Sequence, residues 1–391
     1  MAFLPFVTPG GRDSHVILQN GDSGCDNLPM EIKLSPAILE ALDASLYESE
    51  TADALLNDVF FRLKEKELKS LESCGDIQNG YRQLAIRNMD QEQKEAYASV
   101  QVGYGLDSFD EIDPKPLLGN PYYKALSSLK GTKKGKSEFL VKEIPAHSLF
   151  VYDEVKTDPA NFLASHSPVG YFKKPFPYPC IDREGRTWMS IIPHEANTMA
   201  MAIEKARGNV LTYGCGLGYF AYMASIKEDV DSVTILESDP NALALFKDVL
   251  LPLFPKKEKI KLIQGNALKF GLEEGQKPYD YLFVDIYHDA EDGLPLYIEL
   301  RKKEEVALQA DYWIEEAILA YFRRHLISYV LEQADGYGEE AYKGYENFSE
   351  RLLCSLHRHY KHAKIETAEE LLSLLSSDNL RELAQRIKLI G

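Results

Sequence analysis

The apolar pattern in the second half of the chain changes period repeatedly. A helical stretch from His194 to Arg207 is followed by a strand at 209–213, a helix at 218–226 and a strand at 232–237. A helix at 240–250 and strands at 260–264 and 279–285 come next. Strands alternating with helices predict a mainly parallel sheet with helices on both faces, an α/β, Rossmann-like, doubly wound arrangement over 193–310.

The flanks read differently. "EFLVKEIPAHSLFVYDEV" predicts two strands about a Pro-containing turn, and "PCIDREGRTWMSII" predicts a hairpin turning at Arg183-Glu184-Gly185. Together they make a small β element over 137–192. Residues 34–130 read as a helical region. Ser35 as N-cap and Pro36 open one helix, and Leu55, Leu56, Val59, Phe60 and Leu63 form the stripe of a second. A weaker helical signal runs through "YRQLAIRNMDQEQKEAYASV". "GTKKGKS" reads as a linker with Lys133, Lys134 and Lys136 solvated. Residues 1–33 lack periodicity and read as a loose arm.

The tail, 311–391, reads as helical. Ile314, Ala317, Ile318, Tyr321 and Phe322 share one side of its first helix, and Thr367 to Glu370 has a capping-box pattern. In "HRHYKH", neighbours at i and i+2 point nearly opposite ways, so His357, His359 and His362 predict a solvated helix end and no metal site.

Composition narrows the partners. A formal net charge of −17 over 391 residues argues against a nucleic-acid footprint and favours small-molecule or cationic partners. The five cysteines are scattered without a C-x-x-C pair, which suggests neither a disulfide framework nor a zinc site of that type. There is no eighteen-residue uncharged apolar run. The first residues lack a basic n-region and a small-residue cleavage pattern. No membrane partner and a reduced cytoplasm are therefore expected, and a homo-oligomer is left open.

The chemistry centres on "NVLTYGCGLGYFAYMAS". A dinucleotide fingerprint wants G-x-G-x-x-G, but here the third glycine arrives one residue early and Tyr219 stands where that fingerprint has glycine. No Gly-Lys-Ser/Thr follows, so a P-loop is excluded. With "VTILESDPNAL", "IKLIQGNALKF" and "YDYLFVDIYHD", these residues resemble, over about 193–300, the motifs of class I S-adenosylmethionine-dependent methyltransferases.

The resemblance implies S-adenosylmethionine as cofactor. Its expected contacts are Gly214, Cys215, Gly216, Gly218, Glu237, Ser238, Asn266, Ala267 and Asp285. Turn glycines let the backbone approach the ligand, and Glu237 can take both ribose hydroxyls and is expected to face the crevice. Asn266 stands where the family usually has Asp; an Asx turn is its plainer role. Asp285, His288 and Asp289 are the candidate catalytic groups, with Asp285 or His288 as the proton acceptor, and Asp285 reads equally well as an N-cap.

The order of small β element, "HEANTM" helix and glycine motif also resembles spermidine synthases, in which aspartates after the fourth strand grip a diamine. Cys215 and Leu217 replace an acidic residue within that group's glycine motif, and Asp285 and Asp289 sit four apart rather than three. Asp285, Asp289, Glu291 and Asp292 repel one another, and a cationic acceptor would relieve that. The expected function is methyl transfer to a small, cationic acceptor such as an amine. Aminopropyl transfer is the alternative enzyme, and a non-catalytic cofactor-binding scaffold is the alternative from another class.

Overall fold

The computed structural model describes residues 29–270, 279–303, 308–342 and 345–390; most of the arm expected at 1–33 lies outside them. Its centre is a parallel sheet of five strands: β1 Gly208–Tyr213, β2 Val230–Glu237, β3 Ile260–Gln264, β4 Tyr281–Val284 and β5 Gln309–Tyr312. Their spatial order is β3-β2-β1-β4-β5, with every pairing parallel. β1 from Val210 to Tyr213 and all of β4 are buried, so both faces are covered and the strands read as unbroken apolar runs. The exposed Lys261 and Gln264 suit β3 to the sheet edge.

The order reverses beside β1. There, the strand after it in sequence (β2) lies on one side and β4 on the other, and such a switch point opens a crevice at the carboxyl ends of the strands. β5 corrects the sequence reading, which placed 311 and 312 in a helix. Its Asp311 accepts from Tyr281 Oη at 2.5 Å and from Lys205 Nζ at 2.8 Å. Those tertiary partners make a strand of a half-polar segment; the helix begins afterwards, at Glu315–Ala334.

Upstream, Ser137–Ile144 pairs antiparallel along its whole length with Phe176–Arg183, which turns back on Arg186–Ser190. Glu184 and Gly185 both have positive φ, 55° and 81°, the pattern of a two-residue type I′ hairpin turn. The two strands expected about the Pro-containing turn both exist but do not pair with each other. Phe150–Val151 joins Val169–Tyr171 instead, because the eight-residue partner at 176–183 offers the longer ladder. The segment read as a linker is the hairpin Lys133–Lys134 with Ser137–Glu138. Its Lys134 pairs with Asp248 at 2.8 Å, Lys133 with Glu138 at 3.3 Å, and Lys136 with Glu184.

In the N-terminal region the two expected helices are one, Pro36–Asp58. Its mid-helix Ser45 and Ser49 are buried and donate to the carbonyls of Asn161 (3.3 Å) and Ser165 (3.4 Å). Leu55, Leu56, Val59, Phe60 and Leu63 are all buried, in a second core with Tyr81 and Phe109. In the tail, Thr367 accepts from the Glu370 amide at 3.2 Å while Glu370 accepts from the Thr367 amide at 3.1 Å, a reciprocal capping box. His357 departs from the solvated reading, being buried and stacked on Tyr342 at 4.6 Å; His359 and His362 are exposed. Among the described residues no helix is long and apolar enough to cross a membrane.

Candidate active site

The crevice floor is the turn from β1 to the helix Tyr219–Ser225. Asp285, directly after β4, donates its amide to the Tyr213 carbonyl at 2.9 Å, and this brings two backbones together at Gly214. Gly214 has φ +90°, and a Cβ there would lie 1.9 Å from the Asp285 carbonyl oxygen. Gly218 has φ +80°, and its Cβ would meet the Phe246 ring at 2.7 Å. Both positions therefore need glycine on conformation and on space. Gly216, also at positive φ, has open space above it, with Asp285 Oδ2 4.0 Å from where its Cβ would stand. The turn is a shallow cradle of bare backbone.

Glu237 ends β2 beside it. Oε2 accepts from the Cys215 amide at 3.1 Å, while Oε1 accepts from the Asp239 amide at 2.7 Å and from Ser238 Oγ at 3.4 Å. The carboxylate lies beside the glycine turn. It also pins the glycine turn to β2, a structural task that the sequence reading did not give it. Cys215 is buried against it, and burial together with Glu237 and Asp285 pushes the thiol pKa up. Glu237 and Gln264 are register partners, so the next residues, Ser238 on one strand and Asn266 and Ala267 on the other, follow on at the same edge. Asn266 is exposed and its Oδ1 accepts from the Leu268 amide at 2.9 Å, the Asx turn; its Nδ2 keeps both protons for another partner.

Asp285 is half-buried, and two other carboxyls are close enough to influence it or be influenced by it electrostatically. Burial pushes it up to about 7, with Glu237 adding to the rise and His288 opposing it. The second neighbour, Glu195, lies on the helix Pro193–Thr198 and is pushed up to about 8 by burial and by Asp285. Trp313 fixes this helix against the strand ends. Its Nε1 donates to Thr198 Oγ1 at 2.9 Å, and its amide donates to the carbonyl of Val284, the residue before Asp285, also at 2.9 Å. Tyr287 stacks on Trp313 at 6.1 Å and donates to its carbonyl at 2.5 Å. The edge of His194 meets the same indole at 6.2 Å, and burial pushes this histidine down to about 4.

His288 and Asp289 lie just beyond Asp285, at the start of the next helix. Asp289 is the N-cap of the helix Ala290–Arg301, accepting from the amides of Glu291 (2.9 Å) and Asp292 (3.0 Å), while Asp292 accepts from the Asp289 amide in return. His288 is largely exposed, with Nδ1 3.0 Å from Asp292. The carboxylates at 289 and 292 are thus satisfied by amides at a helix N-terminus, where negative charge is favoured, rather than left repelling one another. The pair that remains in the crevice is Asp285 with Glu195. Sequence reasoning passed over Glu195 except as part of the His-Glu helix; the signal available was Pro193, which opens a helix immediately ahead of β1.

No protein-family model matches the chain, and no curated protein does. Solved structures similar to part of it include the CcbJ methyltransferase from Streptomyces caelestis, at 20% identity over 29% of this chain and 45% of that one, with a TM-score of 0.23. The glycopeptide N-methyltransferase MtfA, complexed with S-adenosyl-L-methionine, matches at 21% identity over 29% of this chain and 51% of its own, TM-score 0.23. Arabidopsis thaliana protein arginine methyltransferase 10 matches at 17% identity, 29% and 32%, TM-score 0.22. The chain spans about half or less of the length of each.

Proposed function

We propose that the chain is an S-adenosylmethionine-dependent methyltransferase whose acceptor is a small amine carried as a cation. The observation that carries this reading is the row of groups at the strand ends: a bare-backbone turn that no Cβ could enter at Gly214, a carboxylate on β2, and Asp285 after β4 with Glu195 from the helix ahead of β1. Gly214, Cys215, Gly216 and Gly218 would receive the methionyl and ribose part, Glu237 the ribose hydroxyls, and Ser238, Asn266 and Ala267 the adenine edge. When bound, the cofactor supplies an electrophilic methyl on a sulfonium.

The chain's own residues do the rest. Asp285 and Glu195 hold and take up the proton that an ammonium acceptor must lose before its nitrogen is nucleophilic. Their pKa values, near neutrality, suit a base working at neutral pH. Trp313 and Tyr287 line the low-dielectric side of the pair, where charge on an incoming amine is felt most strongly. The second reading, aminopropyl transfer, is favoured by one feature: two carboxyls from different elements could each hold one end of a diamine. Product masses after incubation with either cofactor and a polyamine panel separate the two enzymes. Cofactor binding without turnover on such panels would leave a scaffold.

Calorimetry tests the cofactor. Glu237→Ala is expected to weaken S-adenosylhomocysteine by ~1.5–3 kcal/mol, the scale of a hydrogen bond to a charged group. It should also lower ligand-free stability by ~1–3 kcal/mol, because the amides of Cys215 and Asp239 lose their acceptor. Loss of stability with unchanged affinity would make Glu237 purely structural.

Salt tests the acceptor. Above pH 8, where both carboxyls are ionised, kcat/KM should fall as ionic strength rises, and Glu195→Gln should flatten the slope. A salt-independent rate would remove the cationic acceptor.

A further inference from the structure

A segment from the N-terminal region reaches the underside of the glycine turn. Asn120 and Pro121 start the helix Pro121–Ser127, with Asn120 Oδ1 accepting from the amides of Tyr122 (2.9 Å) and Tyr123 (3.2 Å). The cap aims Tyr122 inward, where it has no exposed surface. Its hydroxyl donates to the carbonyl of Leu217, between the second and third turn glycines. Its ring packs against Tyr222 at 4.4 Å and Phe254 at 5.7 Å. Asn120 Nδ2 donates to Tyr219 Oη at 3.2 Å, the first residue of the helix that the turn feeds. A Cβ at Gly218 would come within 3.2 Å of the Tyr122 hydroxyl, so the two elements are in direct contact.

A turn built from positive-φ residues has few contacts of its own to hold its shape, because glycine lacks the side chain that restricts the backbone. The upper side of this one faces the crevice. Its shape is therefore set from β2, through Glu237, and from below. We infer that Asn120 and Tyr122 form a clamp that keeps the glycine turn in its ligand-receiving shape, which makes Tyr122 a positioning residue for cofactor affinity. This rests on the reading of the turn as the cofactor site. A carbonyl deprived of its buried donor would rotate toward another partner, and the amides flanking it would move too.

The comparison that tests this is Tyr122→Phe against Tyr81→Phe. Tyr81 is equally buried, donates to the His147 carbonyl at 2.7 Å and lies in the other core, so its variant removes the same kind of bond away from the crevice. In ligand-free protein, Tyr122→Phe should speed hydrogen exchange at the Gly218 and Tyr222 amides by about tenfold or more, and Tyr81→Phe should change it by less than about twofold. Affinity for S-adenosylhomocysteine should fall about 5- to 20-fold in the first variant and stay within about twofold in the second. Asn120→Ala, which keeps the buried ring, should move both readouts in the same direction by less, and it decides the matter if Tyr122→Phe does not fold. Equal effects of the two tyrosine variants, or an exchange rate unchanged by either clamp variant, would overturn the clamp. Wild-type protein that does not bind S-adenosylhomocysteine would sink the cofactor reading, and the exchange comparison would still decide the clamp.

Discussion

Asp285→Asn is expected to lower kcat/KM by ~10²–10⁴, the usual contribution of a positioned proton acceptor. Asparagine keeps the shape of the side chain and the amide contact to Tyr213, so S-adenosylhomocysteine affinity should change little. Wild-type kcat/KM should rise with pH through about 7, as the pair begins to ionise, and the variant should lose that limb. Stability runs the other way. Asp285 and Glu195 both have folded pKa values above their unfolded ones, so the folded protein holds protons that the unfolded chain has released. The stability this contributes is fully present below about pH 4 and is lost as pH rises through 7 and 8. Asp285→Asn has no such charge to bury. Denaturant titrations should find its stability relative to wild type improving from pH 5 to pH 8. A variant that keeps more than about a tenth of wild-type kcat/KM would remove Asp285 from the chemistry, since general base catalysis contributes more than that.

Gly214→Ala is the second large effect, and Gly216→Ala is its control. Both positions have positive φ, which costs an alanine ~1–2 kcal/mol. Only Gly214 adds a collision, with the Asp285 backbone oxygen, whose residue is anchored through its amide to the Tyr213 carbonyl and which cannot swing aside as a side chain would. We expect Gly214→Ala to cost more than ~3 kcal/mol, at the diagnostic end of single substitutions. It should also abolish measurable cofactor binding, since the clash displaces Asp285 and the turn together. Gly216→Ala should cost only the conformational term. Chemical denaturation of the two variants reads the difference directly, and similar midpoints would contradict the close approach of β1 and β4.

Much of the sheet was legible because its strands are buried on both faces and bounded by glycine or polar turns. β3 matches the sequence reading residue for residue, while β1 and β2 differ by one or two residues at an end and β4 is shorter at both ends. β5 was not legible. Asp311 makes it look like a helix start, and the partners that stabilise a strand there, Tyr281 and Lys205, are distant in sequence. The long helix at 36–58 looked broken because Ser45 and Ser49 interrupt its stripe; they are buried, but bonded to carbonyls that arrive from residues 161 and 165. The glycine turn and Glu237 could be read locally, since strand, turn and carboxylate follow one another in order. The approach of Glu195 to Asp285 could not be, because the two are ninety residues apart and the helix carrying Glu195 is tied to the strand ends through Trp313, distant in sequence. Asp289 and Asp292 show the converse: density along the chain suggested a shared field, whereas both carboxylates accept amides at one helix start.

The pairing of Glu31–Ile32 with Lys364–Ile365 bears on how the chain reaches this structure. The helix that follows the first strand is bound to the same late part of the protein. Arg324 donates to Ser49 at 2.9 Å, 275 residues away, and pairs with Asp53. An emerging polypeptide makes Pro36–Asp58 early, yet one of the surfaces it docks on, around Arg324, is made almost three hundred residues later. Closing so long a loop costs entropy before the contacts at its ends repay it. Folding should therefore be slow, with a partly assembled species exposed to aggregation or chaperone capture in the interval.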